Sequence, residues 1–272
     1  MKFNHLPADA DVMWQVCPLT TFVGVITNVT PWRKNPRASM VYMLVLGAGG
    51  DGGSSASFGG GGGGSGGQTS LLIPAMLLPD FLYVSTFANT YGYLMGVFSH
   101  ARATDLAGWR AACVAYAEIG GTANANAAGL GGPVATASNM PRGFGGVVTA
   151  LAGQAGTNGA SSGAGTANTY PTTGLLATGG AGGGAANAAG GGITASAPRI
   201  GIPGGAATLD GGNGINFLFG ALLPSGGAGG GGSNGGAGGR GGNGGFGCGG
   251  GGAGHNGVAG LGGPGLIVIA QW

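Results

Sequence analysis

The stretch 226–265 constrains the fold of this chain more than any other. It reads GGAGGGGSNGGAGGRGGNGGFGCGGGGAGHNGVAGLGGPG and has a period of three. Asn234, Ala237, Arg240, Asn243, Phe246, His255, Val258, Leu261 and Pro264 share one phase, with Gly249 and Gly252 in its two other places. The phase through Gly236, Gly239, Gly242, Gly245, Gly251, Gly254, Gly257, Gly260 and Gly263 is bare, and Cys248 alone departs from it. Three residues per turn is the repeat of the polyproline-II helix, which has no internal hydrogen bonds. A bare glycine edge lets such backbones approach closely. They can then pair N–H and C=O groups between neighbours and add weak Cα–H···O contacts. This predicts a rigid scaffold rather than a catalytic machine.

Asn234, Ala237, Arg240, Asn243, Phe246 and Cys248 are the residues expected to pack this scaffold or an oligomer of it. Arg240 can either bond the carbonyls of adjacent glycine helices or face solvent. Cys248 is expected at an edge or a turn, since a packed interior position should accept only glycine. Drawn out straight, 234–264 would span about 90 Å at ~3.1 Å per residue. A compact domain of this size is only about 50 Å across. The molecule is therefore elongated or the run folds back, with the turn expected in 247–252, where the side-chain phase carries only glycine.

Of 272 residues 71 are Gly, and only 6% are charged, against about 25% in an ordinary soluble domain. The surface must be largely Gly, Ala, Asn, Ser and Thr. A net charge of +2 gives no strong pull toward nucleic acid or an anionic membrane. Such glycine content can mean a flexible linker. Here 43% of the chain is apolar and apolar runs flank the glycine tracts, which argues for a packed structure. The apolar run 71–84 is interrupted by Pro74, Pro79 and Asp80, and a bilayer span needs about 20 residues. The start, MKFNHLPADADVMW, has no apolar h-region. Cys17, Cys113 and Cys248 are odd in number and far apart, as expected of free structural thiols in a reducing compartment.

Residues 1–38 differ from the rest. They hold Trp14, Trp32 and the cluster Arg33, Lys34, Arg37, with Gly24 their only glycine. The segment 21–30, TFVGVITNVT, has strand character, and Pro31 and Pro36 are expected to break the chain after it. Two readings stand side by side: an arm that attaches to a partner through these five residues, or an ordinary first strand with a solvated basic loop. From Ser39, SMVYMLVL reads as a strand buried on both faces, running into glycine; at the other end glycine runs into GLIVIAQW. The two strands are expected in one sheet, with the glycine tracts leaving it on the same side. Between them 71–78, 81–87, 93–98, 111–118, 147–151 and 215–222 are β-like. Residues 104–119 fit a helix as well as a strand, and the β-like surroundings favour the strand. Further small-residue tracts, 120–132, 153–165 and 179–192, supply either more glycine helices or loops.

Constellations for catalysis are nearly absent. The two lysines, Lys2 and Lys34, form no phosphate-binding GK[ST]. Matches to G-x-G-x-x-G follow from composition alone. Gly63-Gly64-Ser65-Gly66-Gly67 matches a nucleophile elbow formally, without the strand and helix that must bracket one. His5, His100 and His255 have no metal-ligand spacing, and paired carboxylates of the kind glycan hydrolysis uses are not seen. No catalytic residue, metal or cofactor is expected. Tyr91, Tyr93, Trp109 and Tyr170 are the aromatic candidates for contact with a receptor, a glycan or a protein partner, against the alternative of packing in a core or subunit interface.

WRKNPRASMVYMLVLGAGG (32–50), LLIPAMLLPD (71–80), GGNGGFGCGGGGAG (241–254) and the terminal GLIVIAQW occur in an order that resembles glycine-rich structural proteins of tailed bacteriophages, of the tail-fibre or adhesin type. These segments cover about a third of the chain. The resemblance implies a virion component assembled in the bacterial cytoplasm. It also implies a homo-oligomer, often a trimer, that contacts other virion proteins and a host receptor, without membrane insertion. A capsid decoration or head-fibre protein is the alternative within that class, and a non-viral glycine-rich envelope scaffold lies outside it. Mycobacterial glycine-rich repeat proteins share GGAGGNGG-type runs, but this chain lacks their usual helical N-terminal domain. The expected fold is all-β: a β-sandwich-like domain over 39–272 with polyproline-II tracts (47–67, 179–192, 226–265) packed as a layer or bundle, preceded by the segment 1–38.

Overall fold

The computed structural model describes residues 9–17, 27–89, 92–99, 112–134, 147–218 and 221–272. In chain order the strands are β1 (Asp11–Cys17), β2 (Thr27–Arg33), β3 (Met40–Leu46), β4 (Gln68–Pro74), β5 (Phe81–Asn89), β6 (Gly92–Phe98), β7 (Cys113–Glu118) and β8 (Val147–Leu151). Then come the two-residue strands β9 (Asn168–Thr169), β10 (Ile193–Thr194), β11 (Phe217–Leu218) and β12 (Ala221–Leu222), and finally β13 (Gly265–Gln271). The protein is all-β. A five-stranded antiparallel sheet, β1-β13-β3-β4-β8, packs on a four-stranded antiparallel sheet, β2-β5-β6-β7.

The strand SMVYMLVL earns its central place through a side-chain period of two. Val41, Met43 and Val45 point to one face and meet Leu82, Val84, Val97 and Ala115 of the second sheet. Leu44 and Leu46 point to the other and meet Leu222 and Phe246 from the glycine-rich half. Each fully buried Leu, Ile, Val or Met side chain contributes about 1.5–3 kcal/mol. β13 lies beside β3 as expected, with Leu266 opposite Leu46 and Gln271 opposite Val41. Cys113–Glu118 is a strand; 104–111 lies outside the described residues.

Three sequence expectations need correction. The described parts of 1–38 do not stand apart: β1 pairs with β13 and β2 with β5, each as an edge strand of its sheet. Pro31 does not end β2. It sits within the strand opposite Tyr83, which an edge tolerates because its missing N–H can face away from the ladder. The run 71–78 is also divided. β4 stops at Pro74, and Ala75–Leu77 form a 3₁₀ turn.

β3, β7 and β8 end, and β4 and β13 begin, at one end of the sandwich, and every large glycine tract leaves from there. Beyond that end the chain runs back and forth in extended segments whose hydrogen bonds recur every three residues. The N–H groups of Gly47, Gly50 and Gly53 donate to the carbonyls of Gly67, Gly64 and Gly61, and those of Gly49 and Gly52 to Gly263 and Gly260. A β-ladder repeats every two residues; a repeat of three is that of the polyproline-II helix. The run 226–265 reverses three times: near 233–236, at 245–248 and at 254–257. The expected turn zone 247–252 touches only the second reversal, and 249–252 is straight.

Candidate functional site

The glycine half is a triangular array of segments. Consecutive residues of 59–67 point their N–H groups in three directions: Gly62 to Thr157, Gly63 to Gly250 and Gly64 to Gly121. Their carbonyls are used as fully, since Gly62 and Ser65 accept from Gly129 and Gly132, and Gly60 and Gly63 from Gly183 and Gly180. Segment 59–67 therefore bonds to six neighbours: 47–53, 118–125, 128–134, 152–160, 178–185 and 248–254. Segments 178–185, 225–232 and 248–254 are enclosed in the same way by hydrogen bonds to the segments around them. All of these bonds lie within one chain.

Position in the array dictates the glycine pattern. Around a central segment every phase faces backbone, so 59–67 reads GGGGGGSGG. A Cβ on Gly62, Gly63 or Gly64 would come to within 2.2, 2.0 or 1.8 Å of a carbonyl oxygen. On the peripheral segment 237–245 two phases face inward. Added Cβ atoms on Gly239 and Gly242 would strike Leu209 and Gly212 oxygens, and on Gly238 and Gly241 the oxygens of His255 and Gly251. Its third phase, Ala237, Arg240 and Asn243, is exposed, as is Asn234 in the preceding turn. Arg240 thus takes the solvent-facing alternative. Phe246 ends that phase and is buried, edge-on to Phe217 at 5.9 Å and against the outer face of the five-stranded sheet.

Side chains supply acceptors along the periphery. Asp210, Asn213 and Asn216, three residues apart, accept the N–H groups of Arg240, Asn243 and Phe246 at 2.7, 2.8 and 2.6 Å. Asn243 in turn accepts Leu261 N–H at 2.9 Å, and Asp51 accepts Gly262 N–H at 2.7 Å. This ladder was not foreseen, although Asp/Asn at 210, 213 and 216 repeats the same period of three.

Cys248 follows a turn, as expected, yet it is fully buried. Gly247 has φ +69° and Cys248 N–H closes the reversal on Gly245 C=O, the pattern of a type II turn, whose third position requires positive φ. The Cys248 Sγ accepts Thr178 N–H at 3.3 Å. Nearby, the Arg199 guanidinium lies 4.9 Å from the Tyr170 ring and donates to the carbonyls of Leu176 and Leu175. Tyr170 is buried and its hydroxyl donates to Ile200 C=O at 2.8 Å. It is a packing residue and not a surface contact. Burial pushes the Cys248 thiol up to about 12 and the Tyr170 phenol upward, and lowers Arg199. The nucleophile at a cysteine is the thiolate, so this thiol is held unreactive. Ser65 is likewise structural: buried in a central segment, its Oγ accepts Gln154 N–H at 2.8 Å.

Two ends remain. The end remote from the sandwich carries the turns 54–58, 124–127, 161–164, 185–188, 206–209, 233–236 and 254–257, rich in Ser, Asn and Thr. A shallow cleft of about 190 Å³ lies there between Ser54, Ser55, Ala56, Asn256 and Gly257, with His255 Nδ1 held 2.6 Å from Ser233 C=O. Tyr91, Trp109 and the side chain of Tyr93 lie outside the described residues. At the opposite end, the group expected to attach to a partner divides. Trp32 is core, 7% exposed, and Lys34 is spent on Ala75 and Leu78 carbonyls and on Asp80. Trp14, Arg33 and Arg37 are exposed. Among the described residues no group of three His, Cys, Asp or Glu is placed to hold a metal, and no helix is long and apolar enough to cross a membrane. No protein-family model and no curated protein sequence matches the chain.

Proposed function

We propose that this chain is a non-enzymatic structural protein of a bacteriophage virion, most consistent with a tail-fibre or adhesin component, acting as a homo-oligomer for which a trimer is the favoured state. The observation that carries the reading is the polarity of the molecule. A sandwich forms one end; from a single face of it the glycine segments, read here as polyproline-II helices, project a row of small polar turns. Backbone-to-backbone bonding in three directions gives stiffness with only a small apolar cluster, Tyr170, Ala181, Ile193, Ile202 and Ala228, inside it. It also leaves the turns free to vary in sequence without disturbing the array. A stiff spacer that presents variable polar loops suits reversible contact with a host surface, protein or glycan. Such a part needs no cofactor, nucleic acid or membrane insertion.

The test is location and blocking. Gold-labelled antibody against the purified protein should decorate tail fibres of the particle, and the same antibody should lower adsorption to host cells. Label confined to the head shell would give the chain to capsid decoration or a head fibre instead, and absence from the particle would refute the virion reading. Release of new reducing ends from host polysaccharide would refute the non-enzymatic one. Light scattering of the purified chain gives the oligomeric state.

A further inference from the structure

The end of the sandwich away from the glycine array carries a braced apolar knob. The 3₁₀ turn Ala75–Leu77 follows β4. Ala75 and Leu78 are buried, whereas Met76 is 86% exposed, Leu77 40%, and Phe81, at the start of the next strand, 48%. Exposure of one such residue is ordinary; three within six positions on a rigid support are not explained by packing. The support is Lys34. Its side chain is 12% exposed, and its ammonium donates to the carbonyls of Ala75 at 3.0 Å and Leu78 at 2.6 Å and lies 3.5 Å from Asp80. Its backbone N–H also donates to Asp80 C=O, and Ala75 N–H donates to Ser39 C=O. A lysine is thus used to fix the carbonyls of a turn whose other side chains are held out in water. Apolar groups that are pre-ordered lose little entropy on contact, which is the property of interface anchors.

We infer that this knob is the surface by which the chain mounts on a different protein, one offering an apolar socket rimmed by carboxylates. Charge selects the rim. Exposed Arg33 lies over the Phe81 ring at 5.9 Å, exposed Arg37 belongs to the loop that braces the turn, and the carboxylate of the turn, Asp80, faces Lys34. Asp80 is 84% exposed but is outnumbered, so among the described residues Arg33, Lys34 and Arg37 leave the charge around the knob net cationic. Charge and shape also argue against a second copy across a two-fold axis as the occupant. A two-fold contact would set the same convex turn and the same arginines against themselves. The position fits, because the turns at the other end of the molecule point away from whatever holds this one. This inference reassigns the attachment role from Trp32 and Lys34 to Met76, Leu77 and Phe81, with Arg33 and Arg37 beside them.

The inference rests on the virion reading, and one set of particles separates the two. Particles are assembled with the full chain as wild type, as the double variant Met76→Asp/Leu77→Asp, and as the tip variant Ser55→Asp. A fourth form carries the photo-crosslinker p-benzoylphenylalanine at position 76. Wild type and the tip variant should be incorporated equally. The double variant should fall about tenfold or more in copies per particle, as loss of an interface anchor implies, while its melting temperature is unchanged. Irradiation should join position 76 to a different protein. Incorporation of the double variant at the wild-type level, or a crosslink between two copies of this chain, overturns the knob and leaves the virion reading standing. Wild-type chain missing from the particles overturns both.

Discussion

Gly63→Ala is the sharpest test of the array. Gly63 lies in the middle of a central segment, and a Cβ there would sit 2.0 Å from Gly50 O and 2.6 Å from Asp51 O, whereas ordinary contact begins at 3.4 Å. Relief requires a backbone shift of more than about 1 Å in a close-packed region. That shift strains Gly63 N–H to Gly250 and Gly180 N–H to Gly63, which are 2.9 and 2.8 Å long. Overpacking costs about 1–3 kcal/mol, and two weakened backbone bonds add about 1–2 kcal/mol. Against this, alanine restricts the unfolded chain by about 0.4–1 kcal/mol. The net loss is about 1–4.5 kcal/mol. For a chain of this size that lowers the melting temperature by roughly 2–18 °C, at about 2–4 °C per kcal/mol. The control is Gly236→Ala in an exposed turn, where the nearest atom to a new Cβ is Ser233 Oγ at 3.3 Å. It should change stability by less than about 1 kcal/mol in either direction. Urea melts of both variants against wild type decide the matter. A Gly63→Ala protein within about 0.5 kcal/mol of wild type would refute the claim that the array is closed on all sides.

Three further outcomes follow from the same structure. Asn213→Ala removes the acceptor for Asn243 N–H and should cost about 0.5–1.5 kcal/mol, with Asn213→Asp nearly neutral because the acceptor oxygen is kept; urea midpoints compare them. Cys17 and Cys248 have thiols raised by burial to about 11 and about 12 from 9.0. A raised folded pKa stabilises fully below pH 9, and that stability is lost as pH climbs toward the folded values. Stability should therefore hold steady from pH 7 to 8.5 and fall above pH 9, by up to about 1.4 kcal/mol per pH unit for each thiol. Cys248→Ala should flatten the slope, and a thiol reagent should label wild type only after unfolding. Lys34→Met leaves the carbonyls of Ala75 and Leu78 without their partner and should cost about 1–3 kcal/mol. Its signature is faster hydrogen exchange confined to 74–81.

How legible this was depended on whether a residue's environment is set by its neighbours in sequence or by its place in the array. The strands SMVYMLVL and GLIVIAQW, their pairing and the common exit of the glycine tracts follow from local patterning and chain order, and they were readable. The place of β1 was not, because DVMWQVC becomes an edge strand only once β13, some 250 residues later, is present to pair with it. Trp32 and Lys34 read as a surface cluster since Arg33 and Arg37 surround them. Alternation along β2 turns Trp32 inward, and Lys34 finds two carbonyls more than forty positions away. Glycine as the rule for the interior puts Cys248 at an edge or a turn; it follows a turn, yet it is fully buried. The first residue after a reversal escapes that rule, since its sulfur accepts Thr178 N–H at 3.3 Å and donates to Phe246 C=O at 3.5 Å.

The glycine content itself then has a geometric cause. Glycine loses more backbone entropy on folding than any other residue, so a chain with 71 of them should resist folding unless each is compensated. In a sheet a strand has two bonded neighbours. In this array a central segment has six, and its backbone groups are consumed in all directions. The demand for bare backbone rises with the number of neighbours: three phases in 59–67, broken only by Ser65, and two in 237–245. Alanine enters the interior only where a methyl finds room, as at Ala181, Ala228 and Ala253, all fully buried. It follows that the number of glycine-only phases in a tract reports how deeply the tract is buried. By that criterion AGGRGGNGG should accept other side chains at Ala237 and Arg240, while the glycines of GGGGGGSGG should accept none. Replacing Ala237 or Arg240 with bulky residues should leave the melting temperature within about 2–3 °C of wild type, the shift expected for a surface change of under about 1 kcal/mol. If these exposed positions proved as intolerant as Gly63, the periphery would have to be an interface with further copies of the chain.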